Sequence, residues 1–591
     1  MLEVAVGIGV LILVHEFGHF IIAKYSGVKV ENFSIGFGPE LVGVTYGETR
    51  YSLRAVPLGG YVKMLGDEPG SQTAADPRSF LVQPFLTKAA IIIAGSVFNI
   101  LLALVFFITV FQVGITFPAA HVGDVEYGTP AYYAGIQVGD RIVELDGRRT
   151  IDFSDLAVAS ALADPGDSLS LVIERRGEQM PVTIYPEYSP SQGISYIGIE
   201  RYPTLEIESL VSLDKVPSPL IKAGVEPGST ITAMNGAPVS SWFDFTRRTV
   251  ANGLKPFTLT VTKGAVEKTV EVSPVRSPAP LLDIAMTQSL DVTGVTPGSI
   301  AEAMGLAAGD VITALGAARV SDLGQLRSQI NRNLANLPAL ELTRSGQTVQ
   351  LPWNMDRLPL GALAFTSGFD TSAPPQPAWV APGSPAEVIG LEPGDVITSI
   401  DGQPVTDFES LRRSLKDSKA DTITVAWTRN GAAMQASFQP VFLGIGPSVE
   451  MVERRLGLAA SCSLGVRKAW DFASQIYIIL RKAVTGQSSI GKKLSGPIGI
   501  AHLSYTVAKQ GLTQFLFFLA VIGVNLGVMN LLPIPILDGG LLAIFIVERV
   551  KGSPLRPSAQ AILQYVGLVI IAMLFLYVTW QDIYRIVKGV W

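Results

Sequence analysis

Apolar residues in this chain collect into four runs long enough to cross a bilayer, two near each end, with residues 114–511 between them. The runs cover roughly 4–24, Ala89–Val113, Leu512–Leu537 and Ser558–Gln581, and the two middle ones carry no charge. Each reaches the ~20 apolar residues that a helix needs to span the hydrocarbon core. Between the first two lie Lys24, Lys29, Arg50, Arg54, Lys63, Arg78 and Lys88, and between the last two Arg549, Lys551 and Arg556. Short basic loops stay on the cytoplasmic side, whereas long segments translocate largely regardless of charge. Both termini and residues 114–511 are therefore expected outside. The N-terminus lacks a basic n-region and a small-residue cleavage site, so it reads as a retained span. A hydrophobic fraction of 48% fits a lipid-bilayer protein with large soluble parts, and a net charge of −5 without a basic stripe argues against nucleic acid as a partner. One cysteine, Cys462, excludes an intrachain disulfide.

Between residues 115 and 445 one pattern recurs four times around Gly135, Gly224, Gly305 and Gly390, which are 89, 81 and 85 residues apart. The copies run from Thr129-Pro130-Ala131 to Gly139-Asp140, from Pro217-Ser218-Pro219 to Gly228-Ser229, from Pro297-Gly298-Ser299 to Gly309-Asp310, and from Pro382-Gly383-Ser384-Pro385 to Gly394-Asp395. A strand-like alternation follows and ends in a turn, as in Arg141–Leu145 before Asp146-Gly147 and Val396–Ile400 before Asp401-Gly402. A spacing above 80 residues suits whole small domains in tandem. The pattern resembles the PDZ domain, which implies that peptide or C-terminal segments bind by adding a strand to a sheet edge. The second copy matches least, with Ser229 in the usual aspartate position. A copy kept only for shape or spacing would read the same way. His121, just before the first copy, is expected to be structural.

His15-Glu16-Phe17-Gly18-His19 interrupts the first apolar run. On a helix the two histidines stand one above the other, so both rings can reach one metal ion. Glu16 lies about a quarter-turn away, where it could take a proton from a water that the metal activates. Ionisable groups inside a membrane run are costly and read as functional. A helix end with two surface histidines is the bland alternative. Zinc catalysis commonly uses three protein ligands. The candidate third ligand is Asp538, at the end of the third run in Asn530-Leu531-Leu532-Pro533-Ile534-Pro535-Ile536-Leu537-Asp538-Gly539-Gly540. Pro533 and Pro535 break the helix, and freed backbone at membrane depth is tolerated only beside a cavity or within protein. An ordinary helix terminus would carry the same residues.

These motifs together resemble the site-2 proteases, a family of intramembrane zinc metalloproteases. The resemblance covers both membrane portions and also rests on Gly36-Phe37-Gly38-Pro39, Pro57-Leu58-Gly59-Gly60-Tyr61-Val62-Lys63-Met64, Leu494-Ser495-Gly496-Pro497-Ile498 and Val524-Asn525-Leu526-Gly527. It implies that His15, His19 and Asp538 hold Zn²⁺, that Glu16 is the general base, and that Asn530, Pro533 and Pro535 lie beside the substrate. Gly59, Gly60, Tyr61 and Asn99 are placed with the substrate contacts. It further implies transmembrane protein substrates, such as anti-sigma factors or remnant signal peptides already trimmed outside, and a bacterial inner membrane with the site toward the cytoplasm. The repeats would then act as a size filter. Three features depart from the family pattern: Ser96 where proline is usual in Ala94-Gly95-Ser96-Val97-Phe98-Asn99, Leu541 where histidine is frequent, and four repeats where the best-known bacterial member has two.

The expected fold is a multi-pass α-helical membrane protein with four transmembrane helices, a membrane-associated β-hairpin loop, and four tandem α+β PDZ-like domains inserted between helices two and three. The expected divisions are a protease core at 1–114 (spans about 4–24 and 88–113, β-loop about 30–65), PDZ-like copies at 115–202, 203–280, 281–358 and 359–445, an interfacial segment at 446–510, and a second core portion at 511–591 (spans about 512–537 and 558–581). In the β-loop, Glu48–Val56 turns at Pro57 and Gly59-Gly60 into Tyr61–Met64, a hairpin that could clamp an extended substrate. Within 446–510, Trp470, Phe472, Ile476, Tyr477, Ile479 and Leu480 mix with Arg467, Lys468, Arg481 and Lys482, as in a helix lying at the membrane surface. His502 is not expected to be a ligand. The competing reading is a non-catalytic membrane scaffold or chaperone on a protease-like core, for which charged groups inside the bilayer have no use.

Overall fold

The computed structural model describes residues 2–66, 76–189, 194–353, 361–372, 374–484, 496–553 and 555–587. The chain divides into two compact units, residues 1–116 with 453–591, and residues 117–452.

Among the described residues of the first unit, four helices are long and apolar enough to cross a membrane: Val6–Tyr25, Phe85–Val113, Leu512–Asn530 and Ser558–Ile586. Small residues set how closely they pack. A Cβ on Gly18 would stand 2.6 Å from the Ala94 carbonyl, and one on Gly527 2.9 Å from the Ser96 carbonyl. Such close approach replaces the hydrophobic drive that lipid removes. The third span stops at Asn530, seven residues short of the expected 537. Asp538 does not end a span. It opens a further helix, Asp538–Lys551, in place of the loop expected between the last two spans. That helix carries Asp538 in its first turn, Arg549 and Lys551 in its last, and left-handed Gly552 beyond, all favourable for its dipole and its C-terminus.

The segment expected at the membrane surface is a helix, Leu458–Val484, packed along the second and third spans. Phe107 stacks on Phe472 at 6.0 Å and meets Phe517 edge-on at 5.3 Å. Trp470 and Tyr477 point away from that contact and are exposed. Leu494 and Ser495 lie outside the described residues, while Gly496 precedes a helix at Pro497–Lys509.

The β-loop is not a simple hairpin. Residues 30–35 pair antiparallel with 60–64 on one edge, and on the other run in the same direction as 50–53, with Asn32 opposite Arg50 and Ile35 opposite Leu53. Residues 42–46 then pair antiparallel with 49–53. The two arms of the expected hairpin are thus separated by strand 30–35, and 60–64 is an edge.

The second unit contains the four repeats. Each carries a one-turn helix after its Pro- or Ser-containing turn, a longer helix (Phe153–Leu162, Trp242–Asn252, Leu323–Arg332 and Phe408–Asp417), and a β-hairpin. Asp152, Ser241, Asp322 and Asp407 cap the longer helices through their side chains. A strand after the hairpin closes each repeat, and here the chain departs from simple tandem order. Repeat one is closed by its own 199–201 on 122–125, and repeat three by 369–371 on 292–295. Repeats two and four exchange this strand: 445–449 pairs with 203–210, and 284–286 pairs with 377–380. Leu443 is accordingly buried with Ile207, Leu220 and Leu259, and Leu282 and Met286 with Ile397, Leu411 and Trp427. Divisions at 280 and 445 therefore separate each of these repeats from the strand that completes it. Repeats one and three are braced by the Tyr133 hydroxyl donating to Asp322 and by Arg327 with Glu187 at 3.2 Å.

The aspartate of the repeated pattern has a defined partner. Asp140, Asp310 and Asp395 are each buried and take both nitrogens of Arg175, Arg344 and Arg429 at 2.7–2.8 Å. The same arginines donate to the carbonyls of Gly135, Gly305 and Gly390. Repeat two has Ser229 instead, and its lysines divide the work: Lys263 pairs with Glu226 and Lys268 donates to the Gly224 carbonyl. His121 stacks on Tyr202 at 4.1 Å and bonds to Glu450, a structural role.

Candidate metal and proteolytic site

The first span places His15 and His19 on one face with their rings 4.8 Å apart. Among the described residues, the group able to hold a metal ion is His15, His19 and Asp538, whose ligand atoms lie within 4.8 Å of one another. His502 is not part of it. Asp538 Oδ2 lies 3.2 Å from His15 Nε2 and 3.5 Å from His19 Nε2, and the two Nε2 atoms are 3.2 Å apart.

The outer nitrogen of each ring decides what the inner one can do. His19 Nδ1 is 2.8 Å from the Ile91 carbonyl, which can only accept, so Nδ1 carries the proton and Nε2 a lone pair. His15 Nδ1 is 3.3 Å from the Asn99 amide, and Asn99 Oδ1 has no other partner. Turning that amide over, which leaves its shape unchanged, gives His15 Nδ1–H an acceptor and frees its Nε2 lone pair as well. Two lone pairs and a carboxylate oxygen, Asp538 Oδ2, then face one point. Their mutual repulsion is relieved by a cation there. Two imidazole nitrogens and one carboxylate oxygen are a donor set that suits zinc. The partners on the outer nitrogens are of the kind that fix ligand orientation.

Glycines make the room. A Cβ on Gly95 would lie 2.4 Å from His19 Nε2. Those on Gly539 and Gly540 would lie 2.2 and 2.1 Å from the Leu531 and Ile534 carbonyls, so the turn 531–537 folds tightly onto the helix that presents Asp538. Within that turn Ile536 has φ +90°, a conformation costly for a β-branched residue and held by its surroundings. Pro533 is exposed, Pro535 half-buried, and the Pro535 carbonyl packs against Gly567 of the last span. Asn530 ends the third span with Nδ2 3.4 Å from His15 Nε2.

Glu16 follows His15, and the backbone N–H of Val62 lies near its carboxylate. A Cβ on Gly60 would be 3.3 Å from Glu16 Cγ and 2.8 Å from the Ser34 carbonyl, which ties the edge strand 60–64 to Glu16. Gly59 turns the chain with φ +119°. Tyr61, expected among the substrate contacts, has its hydroxyl 2.6 Å from Arg54. Asn99, grouped with the same contacts, is fully buried, with its amide 3.3 Å from His15 Nδ1. Sequence reading missed the orienting roles of Asn99 and the Ile91 carbonyl, because both act across more than 70 residues. It also missed Gly95, whose signal was the small-residue pair Ala94-Gly95 in an uncharged run.

A family profile and three relatives bear on this arrangement. A sequence profile described as Peptidase family M50 matches residues 3–574. A Clostridium acetobutylicum protein described as a zinc metalloprotease is 43% identical over 192 residues, 32% of this chain and 55% of its own length. One from Neisseria meningitidis with the same description is 25% identical over 586 residues, 98% of this chain and 97% of its own. The regulator of sigma-E protease RseP of Salmonella typhimurium is 26% identical over 593 residues, covering 98% and 97%.

Proposed function

The chain belongs to peptidase family M50, the site-2 zinc metalloproteases, and from that premise we propose that it hydrolyses peptide bonds of transmembrane segments at the His15–His19–Asp538 site. The observation that carries this is the convergence, within 4.8 Å, of two histidines from an apolar span and Asp538 from the start of the helix Asp538–Lys551, with Glu16 beside His15. Zinc held by His15, His19 and Asp538 would supply Lewis acidity toward a water and the scissile carbonyl.

The chain's own groups do the rest. Glu16 accepts a proton from the attacking water at its carboxylate and returns it to the departing amide nitrogen. Asn99 and the Ile91 carbonyl keep both rings in the tautomer that presents Nε2. A helical substrate shields its carbonyls inside its own hydrogen-bond ladder, so it must unwind, and its freed backbone needs partners at membrane depth. The edge strand 60–64 supplies them beside Glu16, with Asn530 and the Pro533–Pro535 turn on the other wall. We read the site as facing the cytoplasm and the repeats as lying outside, a reading supported by the basic residues of the loops between spans.

The four repeats are read as PDZ-like modules that admit a substrate only after its outer domain has been trimmed. The purified chain in detergent should cleave a model spanning peptide, lose that activity to a chelator and regain it with zinc; cleavage indifferent to the chelator would contradict the site. Removing residues 117–452 should allow cleavage of untrimmed substrate, and continued rejection would count against the filter.

A further inference from the structure

We propose that repeats one and two form a single trough that binds an extended peptide bearing an apolar side chain followed by a basic one. This rests on reading the repeats as peptide-binding modules and names the ligand they select. The apolar half is a cavity of about 330 Å³ in repeat two, between the helix Trp242–Asn252 and the exchanged segment at Val441–Ile445. Trp242, Phe245, Val250 and Leu443 line it. Thr249 lies on the same helix face, 6% exposed, and its Oγ1 has no hydrogen-bond partner. Leaving a buried hydroxyl unpaired costs on the order of 1–3 kcal/mol. An apolar slot with one waiting hydroxyl fits a side chain attached to peptide backbone better than a purely hydrocarbon ligand.

The acidic half occupies the same place on repeat one, a cavity of about 590 Å³ between the helix Phe153–Leu162 and residues 194–200. Phe153, Leu156 and Ile197 line its apolar wall, and Asp124, Glu126 and Glu200 contribute carboxylates, with no lysine or arginine among the described residues of the lining. Burial and the nearby charge of Glu200 hold Asp124 and Glu126 above the usual carboxylate range, as expected of acids awaiting a counter-charge. Arg327 acts on Glu126 but is paired with Glu187. The halves are joined. Asp283 lines both, and a cavity of about 550 Å³, which Arg201 also lines, shares Asp124 and Glu200 with the acidic half and Trp242 with the apolar half. Asp283 sits at φ +53° immediately before the exchanged strand 284–286, so the strand exchange itself brings that carboxylate to the junction.

The test measures fluorescence polarisation on the full-length Glu16→Gln chain in detergent, so that binding is scored without cleavage. The probes are a labelled synthetic peptide with Leu-Val followed by Lys-Lys, a counterpart with Glu-Glu in place of Lys-Lys, and one with Ser-Ser in place of Leu-Val. The first should bind at least about tenfold tighter than either counterpart. Asp124→Asn with Glu200→Gln should erase the preference for Lys-Lys, and Thr249→Val should weaken both Leu-Val peptides. Equal binding of all three peptides, no binding, or a preference intact in the double variant would overturn the proposal. A wild-type chain that binds the peptide yet cleaves nothing would sink the protease reading and leave this one standing.

Discussion

Gly95 faces His15 and His19 directly: a Cβ there would stand 2.4 Å from His19 Nε2 and 2.7 Å from His15 Cε1. These rings are the proposed zinc ligands, and each is held from behind, His19 by the Ile91 carbonyl and His15 by Asn99. Gly95→Ala should therefore reduce zinc content and cleavage by about 100-fold or more while the chain still folds. Metal analysis of the purified variant beside its thermal unfolding checks this; full zinc occupancy would contradict the geometry.

Asn99 contacts His15 Nδ1 across 84 residues and, with its amide turned over, is proposed to set the tautomer of that ring. Asn99→Ala should lower zinc affinity by about 10–100-fold without altering the KM for substrate, because the side chain is fully buried and meets a ligand. Asn99→Asp should retain more affinity than the alanine variant, since it keeps an acceptor for Nδ1–H. A rise in KM alone would place Asn99 with the substrate after all.

Asp310 and Asp395 are held below the ordinary carboxylate range, Asp310 chiefly by its bond to Arg344 and Asp395, against the opposing effect of burial, by Arg429. A carboxyl depressed in the folded state contributes stability that is present above its ordinary value and is lost as pH falls through the folded value. Unfolding of the repeat unit should thus become easier as pH drops below about 4. Asp310→Asn should cost about 2 kcal/mol at neutral pH and flatten that dependence for repeat three. Hydrogen exchange in 340–351 against pH reads both effects.

Strand exchange makes a prediction about cooperativity. Leu443 follows repeat four in sequence but is buried in the core of repeat two. Leu443→Ala should destabilise repeat two by about 2–5 kcal/mol. Faster hydrogen exchange should appear at Phe257–Val272 and not in the hairpin Ile423–Phe438; the reverse pattern would refute the exchange.

The spans and the histidine motif were legible because each is written in local composition: uncharged apolar runs, and two histidines one helical turn apart. Asp538 was legible as a ligand candidate from its prolines and glycines, but its place in the first turn of a new helix was not. Asp538–Lys551 is short and carries in its first turn two glycines that sequence alone reads as a stop, whereas in the fold they are needed for close contact with Leu531 and Ile534. The strand exchange was illegible for a different reason. Strands 284–286 and 445–449 follow their hairpins as the closing strands of repeats one and three do, and only contacts across more than 90 residues determine which repeat each one closes. The hairpin expected at 48–64 failed in the same way, since strand 30–35 inserts between its arms.

The central claim is that Glu16 moves the proton at a zinc site within the membrane. The direct measurement compares wild type with Glu16→Gln on a model transmembrane substrate, with bound zinc determined in both. Equal zinc and cleavage reduced by about 10²–10⁴-fold are expected in the variant. Equal cleavage with zinc bound in both would contradict the role of Glu16, and zinc in neither would contradict the site.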